Sequence, residues 1–313
     1  MAQRTETLKE ELLEKTAALV AKRMSGEKAR AAQKFVEHYY RNVPPADMAE
    51  RDPEDLYGAA ISIWTWGQNW TDDEPKIRVY NPRFDQHGWH STHTVIEIIN
   101  FDMPFLVDSV TMELNRQNLT VHLVVHPVFH VTRDSNGKTT HCVAGRKEDK
   151  GRNESFMHVE VDKQTLPQAL EAIEEGLNKA LHDVRSSVED WPSMRDKAMG
   201  LVKELKRKAP KGIEKEDVDE TIAFLEWIYD DHFTFLGCRD ITYKGSGKKA
   251  QMVVQEGSGL GVLRAPETQV FAGLRNLGDL PEEVRETIFQ PEMVRITKAN
   301  NRATVHRRVH MDT

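Results

Sequence analysis

The chain has 313 residues, of which 39% are hydrophobic and 30% charged, and its formal net charge is −7. That composition describes a soluble globular protein able to build real cores, and the length suits two domains better than one. The negative balance argues against nucleic acid as the main partner, because affinity there rests on Lys and Arg neutralising phosphates.

The N-terminus, "MAQRTETLKEELLEKTAALV", is charged throughout and lacks the apolar core of a signal peptide. No apolar run reaches the ~18 residues of a membrane span. Apolar positions at Leu8, Leu12, Leu13 and Ala17 predict a helix over 5–24, a second runs over 27–40, and a third starts at Asp52-Pro53, an N-cap followed by a first-turn proline. Trp64, Trp66 and Trp70 fall at its end and read as core or interface. These helices form a segment over 1–72.

A period of two then takes over. Residues 76–81 and 93–99 read as strands, 104–117 as a helix, and 119–132 as one long strand with Val121, Leu123, Val125, Phe129 and Val131 on its buried side. Asp134-Ser135-Asn136-Gly137 is a hairpin signal. Strand 155–162 should bury Met157, Val159 and Val161. A helix starts at Pro167, and helical character resumes after Pro192 and runs to about Lys208, so that Lys203–Lys211 is a solvated helix end. "KAPKGIEKEDVDE" (208–220) is the best linker. Beyond it come helix 216–230, strands 232–243 and 250–256, helical pieces near 274 and 281–289, and strands 292–298 and 303–310. The last strand has no closing partner, and the chain reads as the front of something longer.

Little of this carries catalytic chemistry. "GSGLGV" (257–262) has Val262 where a dinucleotide turn needs its third glycine, and Pro266 interrupts any receiving helix. "GSGKK" (245–249) is too short for a P-loop. Cys142 and Cys238 are the only cysteines, which argues against a disulfide framework and for a reducing, cytoplasmic setting. His141 and Cys142 are adjacent in a strand and so point to opposite faces. His87, His90 and His93 have loop spacing that can converge on one ion, but they lack the cysteine pair of a typical structural zinc site, and no metal is expected. His122, His126 and His130 are too far apart along a strand to share one, at ~13 Å per step of four. With Val124 and Val128 they should form an outward face, joined by Phe156 and His158 from the neighbouring strand: a docking surface for another domain or subunit.

The stretch "INFDMPFLVDSVTMELNRQNLTVHLV" is similar to the start of ACT domains, small regulatory modules on a ferredoxin-like βαββαβ plan. With "HPVF", "ESFMHVEVD", "HFTFLGCRDITY", "GSGLGVLR" and "VHRRVHMD" in fixed order, the chain resembles the N-terminal regulatory region of the large bacterial NAD-specific glutamate dehydrogenases. The resemblance implies an α+β architecture: N-terminal helices, an ACT-like domain over 73–207, a linker at 208–220, and a smaller α+β domain over 221–313 similar to a truncated PAS-like fold. It implies an effector turn at Asn100, Asp102, Pro104 and Phe105, where effector-binding ACT domains usually carry glycine at the position of Phe105. It further implies partners in the rest of the same polypeptide and in a homo-oligomer, a possible amino-acid effector, NAD as cofactor of the parent enzyme only, and no activity for this segment alone. The alternative is a free-standing amino-acid-sensing module.

Overall fold

The computed structural model describes residues 2–49, 51–71, 74–245, 251–265, 281–283, 293–298, 305 and 311–312. Two compact units divide the chain, Met1–His182 and Asp183–Thr313.

In the first unit, helices α1 (Ala2–Arg23), α2 (Gly26–Tyr39), α3 (Pro45–Met48) and α4 (Pro53–Trp66) precede the sheet. Asp52 caps α4 by accepting from the Glu54 N–H at 2.8 Å, and Pro53 supplies the first-turn φ without needing a donor. Then follow β1 (Lys76–Tyr80), α5 (Phe84–His87), β2 (Thr94–Phe101), α6 (Leu106–Arg116), β3 (Val121–Val125), β4 (Val128–Arg133), β5 (Thr139–Ala144) and β6 (Arg152–Val161). The antiparallel sheet runs β1-β2-β6-β4-β5, with β3 also on β6.

That order is the ferredoxin-like one with a substitution at its edge. The plan expects the last strand, beside β2, to come after the second helix; here β1, which precedes the motif, pairs with β2. The second helix, α7 (Pro167–Arg207), runs on for 41 residues instead. The single strand expected over 119–132 is broken into β3 and β4, with Pro127, which has no N–H to give a ladder, between them.

Register decides what each face meets. Val125 lies opposite His158 and Leu123 opposite Glu160, whereas Val124 lies opposite Val159. Leu123, Val125, Phe129, Val131, Ile99 and Phe156 therefore share one face, where they join Phe35, Val36, Tyr39, Leu56, Ala60, Ile63 and Trp64 of the N-terminal helices in one core. Ile96, Ile98, Met157 and Val159 are buried on the other face. It is left to α6 and α7, whose stripes Leu106/Val110/Leu114 and Ile173/Leu177 are also buried. The expectation that Leu123 and Val125 point the same way as Met157 and Val159 is thus corrected: the sheet is covered on both sides, so both parities are apolar.

In the second unit α7 passes straight through Pro192. Val184, Met194, Ala198 and Val202 are buried on both sides of it, and this continuous stripe holds together a helix the sequence divides in two. Helix α8 (Lys215–Trp227) ends in a wide turn at Ile228–His232. The strand expected over 232–243 is two pieces with different partners: β7 (Gly237–Cys238) pairs with β10 (Leu260–Gly261), and β8 (Ile241–Lys244) with β9 (Gln251–Val254). Asp190 accepts from the Gly261 N–H at 2.7 Å and from Arg264 at 3.0 Å, and the Arg264 hydrogen bond holds its carboxyl below the ordinary range. The helical piece near 274 and most of 281–289 and 303–310 lie outside the described residues, as does what would test a PAS-like order; of the strand expected over 292–298, only Thr297–Lys298 is one, paired with Met311–Asp312. Among the described residues, no helix is long and apolar enough to cross a membrane.

Candidate functional site

A cleft of the first unit opens on the sheet face that carries the N-terminal helices. Its cavity is about 590 Å³. Four local features shape it. Helix α2 ends at Tyr39-Tyr40 ahead of the prolines. The Asp52 cap turns the chain from Arg51 into α4. Gly88, at φ 74°, ends α5 in the left-handed conformation glycine adopts without strain. Trp89 then lies directly on Gly58 of α4, where a β-carbon would overlap its Cβ and Cγ.

This contact reverses a usual expectation. Gly→Ala inside a helix normally stabilises by about 1 kcal/mol. For Gly58→Ala the overlap with Trp89 outweighs that gain, and a net loss of about 1–3 kcal/mol is expected, as for overpacking. A urea midpoint at or above wild type would show that Trp89 does not rest there.

The floor is a buried charge network. Glu160, 1% exposed, receives both Arg51 guanidinium nitrogens at 2.6 and 2.9 Å. His93 Nδ1 lies 3.3 Å and His158 Nε2 3.4 Å from the same carboxylate. Glu97, fully buried, is held by Arg78 and by the Tyr80 hydroxyl at 3.2 Å. His158 Nδ1 is 3.7 Å from Glu97, beyond hydrogen-bonding reach. Burial opposes the charge on His158, but the Glu160 hydrogen bond and the negative charges of Glu160 and Glu97 outweigh it and raise its pKa. Burial likewise opposes ionisation of Glu160, and His158 and Arg51 outweigh that, holding the carboxyl well below the carboxylate range. Tyr40 donates to the Leu56 carbonyl at 2.8 Å. The Tyr39 hydroxyl, the Trp89 indole Nε1 and His158 Nδ1 are buried without a hydrogen-bond partner. Both carboxylates of the floor are engaged, and at the wall the Thr92 hydroxyl lies 3.3 Å from His93 Nδ1.

The residues singled out in the sequence are placed as follows. Asn100 is 1% exposed, with neither amide atom partnered. Asp102 is clamped by Arg146, one contact being 3.0 Å. Pro104 is exposed, and Phe105 sits at φ 72° as the residue before α6. The backbone shape that favours glycine persists, but a phenyl ring occupies it. These four stay together at one turn. The seven docking residues do not. Phe156 and His158 are buried on the helix-covered face beside the cleft, and His130 is 3% exposed, bonded to Asn153 at 3.0 Å and to Asp149 at 2.6 Å. His122 is exposed, stacks near His93 at 4.4 Å between ring centres, and pairs with Asp162 at 2.8 Å. Val124, His126 and Val128 are half-buried, and burial lowers the His126 pKa.

The loop histidines take separate partners: His87 the Arg83 N–H at 3.1 Å, His90 Asp55 at 3.1 Å, and His93 Glu160. Among the described residues, no group of three His, Cys, Asp or Glu is arranged to hold a metal. Trp64 and Trp70 are core residues, as read. Burial pushes the Cys142 thiol up to about 12. Residues 257–262 form a turn and the short strand β10. Arg51, Tyr39, Glu97 and Trp89 were missed. The available signal was a lone Glu in "TVIEIINF" and another in "MHVEV", since a charge inside an apolar strand must find a partner when buried.

An antiparallel sheet in which β2, α6, the strands β3 to β6 and then α7 follow one another is ACT-like in plan. Residues 35–177 match the family described as glutamate dehydrogenase, ACT1 domain. The chain is 35% identical over 303 residues to the NAD-specific glutamate dehydrogenase of Halomonas elongata, covering 96% of this chain and 19% of that protein. It is 34% identical over 281 residues to the same-named protein of Pseudomonas aeruginosa, 89% of this chain and 17% of that one. Against the one from Mycobacterium tuberculosis the figures are 29% over 163 residues, 51% and 10%. The chain is similar to these NAD-specific glutamate dehydrogenases, and it spans about a fifth of the length of the first of them.

Proposed function

We propose that this chain is the N-terminal regulatory and assembly region of a large NAD-dependent glutamate dehydrogenase, whose parent enzyme oxidises L-glutamate to 2-oxoglutarate and ammonia in the cytoplasm. The observation that carries the reading is the mismatch of lengths: similarity along 96% of this chain accounts for 19% of the relative, and its core is an ACT1 domain. NAD belongs to catalytic domains elsewhere in the polypeptide; the turn at 257–262 lacks the third glycine and the strand–turn–helix that hold a pyrophosphate. The linker reading of 208–220 rests on its composition and on the irregular residues 208–214. Contact with the rest of the polypeptide, or with a second copy, is assigned to the half-buried Val124, His126 and Val128 rather than to the whole set first expected. The turn at Asn100–Phe105 serves structure and assembly, with Asp102 taken by Arg146 and Phe105 walling off the space.

The test is glutamate-dependent formation of NADH by the 313-residue chain and by the complete gene product. No turnover is expected from the chain, and turnover from the complete product, whose response to effectors should change when residues 1–313 are removed. Activity of the chain alone that scales with its concentration and survives repurification would overturn the reading.

A further inference from the structure

We propose that Phe84 and Leu166 form an anchoring knob by which the first unit docks into an apolar pocket on the remaining polypeptide of the complete gene product. The proposal rests on the regulatory reading above and adds a place of contact separate from Val124, His126 and Val128.

Position gives the first argument. Among the described residues, Phe84 at 73% and Leu166 at 65% are the two most exposed large apolar side chains. They are distant in sequence but flank one hydrogen bond: the Asn81 side-chain amide, just before Phe84, donates to the Gln164 carbonyl, just before Leu166, at 2.8 Å. Thr94 ties both to β2, donating its hydroxyl to Asn81 at 2.8 Å and accepting from the Gln164 N–H at 2.7 Å. Apolar side chains scattered singly over a surface need no explanation; a pair this exposed at one end of the sheet does.

Local structure gains nothing from either residue, which is the second argument. Leu166 stands at the N-cap of α7, its carbonyl receiving the Ala169 and Leu170 N–H groups. A Ser, Thr, Asp or Asn there would add about 1 kcal/mol. Phe84 opens the single-turn helix α5, and the loop that carries it is tied down. Arg83 donates twice to Asp85, at 3.2 and 2.9 Å, and its backbone N–H meets His87 Nδ1 at 3.1 Å. The Gly88 N–H closes the turn on the Phe84 carbonyl at 3.1 Å, and buried Pro82 and Trp89 hold the two ends. An apolar side chain on a pre-organised loop loses little conformational entropy on docking.

Area selects the occupant. A buried aromatic contributes ~150–250 Å², so Phe84 and Leu166 together offer on the order of 300 Å². That is well under the ~800 Å² per partner of a stable complex between free proteins, and so too little to hold a second copy. A tethered partner needs less, because a linked segment is presented at an effective concentration of about millimolar. Such a partner follows from the lengths: similarity along this chain accounts for 19% of the Halomonas elongata protein, which leaves most of such a polypeptide to be packed.

The experiment is alkylation of Phe84→Cys by iodoacetamide, in the 313-residue chain and in the complete gene product, read by mass spectrometry on the peptide carrying position 84. Leu166→Cys is the second reporter, and an unchanged melting temperature of the chain shows that each variant folds. Burial raises the thiol of Cys142, to about 12, and that of Cys238, so both native cysteines react slowly near neutral pH. Labelling at either reporter is expected to be fast in the chain and at least about tenfold slower in the complete product. Adding Leu166→Asp to Phe84→Cys should restore the fast rate in the complete product. Equal rates in the two proteins would overturn the proposal, and so would protection that Leu166→Asp leaves intact. Labelling of the chain alone that slows as its concentration rises would mark a second copy as the occupant, and would overturn it too. Failure here is distinguishable from failure of the regulatory reading: removal of residues 1–313 would still alter the response of the complete gene product if that reading holds.

Discussion

Phe129→Ala is expected to destabilise the first unit by about 3–5 kcal/mol, the range for emptying a phenylalanine site in a packed core. Phe129 is 1% exposed and stacks on Phe35 at 4.5 Å between ring centres with planes 8° apart. It meets Phe156 edge-on at 5.3 Å and His38 at 4.9 Å. One ring thus joins β4, β6 and α2. Each aromatic pair adds about 0.5–1.5 kcal/mol beyond buried area, so the upper half of the range is the better expectation. The truncation also empties the seam between the N-terminal helices and the sheet, where neither side can collapse without moving a whole element. Urea unfolding of wild type and variant measures it, with Phe84→Ala as a control, since Phe84 is 73% exposed. A loss under about 1 kcal/mol would mean that α2 is not seated on the sheet through this contact.

That seam also marks where sequence reading stops. Local patterns located α1, α2, α4, β2, α6 and the Asp134–Gly137 turn, because each rests on spacing or turn chemistry within a few residues. The alternation across 119–132 was real, but a period of two says only that a strand has two sides. Leu123 and Val125 were read as buried on the same side as Met157 and Val159; the register with β6 sends them to the other side, onto the N-terminal helices. The same error placed Phe156 and His158 on an outer surface when they are buried beside the cleft. A two-sided burial is invisible to parity when polar residues such as Glu97, His158 and Glu160 occupy one face and satisfy each other there. Pro192 misled for a related reason: a proline predicts a break from local sterics, and the buried stripe on either side of it overrides that. The cleft itself draws on residues 39, 51, 89, 158 and 160, which only the folded sheet brings together. The family resemblance was legible because it needs motifs in order, not their contacts.

Glu160→Gln probes that network and is expected to lose about 3 kcal/mol near pH 6, the lower end of the ~3–5 kcal/mol for removing one partner of a buried pair. The lower end applies because Arg51 keeps 28% of its side chain exposed and can regain water, whereas His158, at 2%, cannot. The pH dependence has a definite shape. The Glu160 carboxyl is depressed in the folded state, so its contribution is present above its unfolded value of ~4.3 and lost as pH falls through the folded one. His158 is raised, so its contribution is full below its unfolded value of ~6.5 and lost as pH rises through the folded one. The gap between wild type and variant should therefore be widest between about pH 4.5 and 6.5 and narrow on both sides. At high pH a residue of it remains, carried by the bidentate Arg51 contact. Thermal melts across pH 3.5 to 9 test this, and a gap that stays constant over that range would show that the pair does not titrate as a unit with His158.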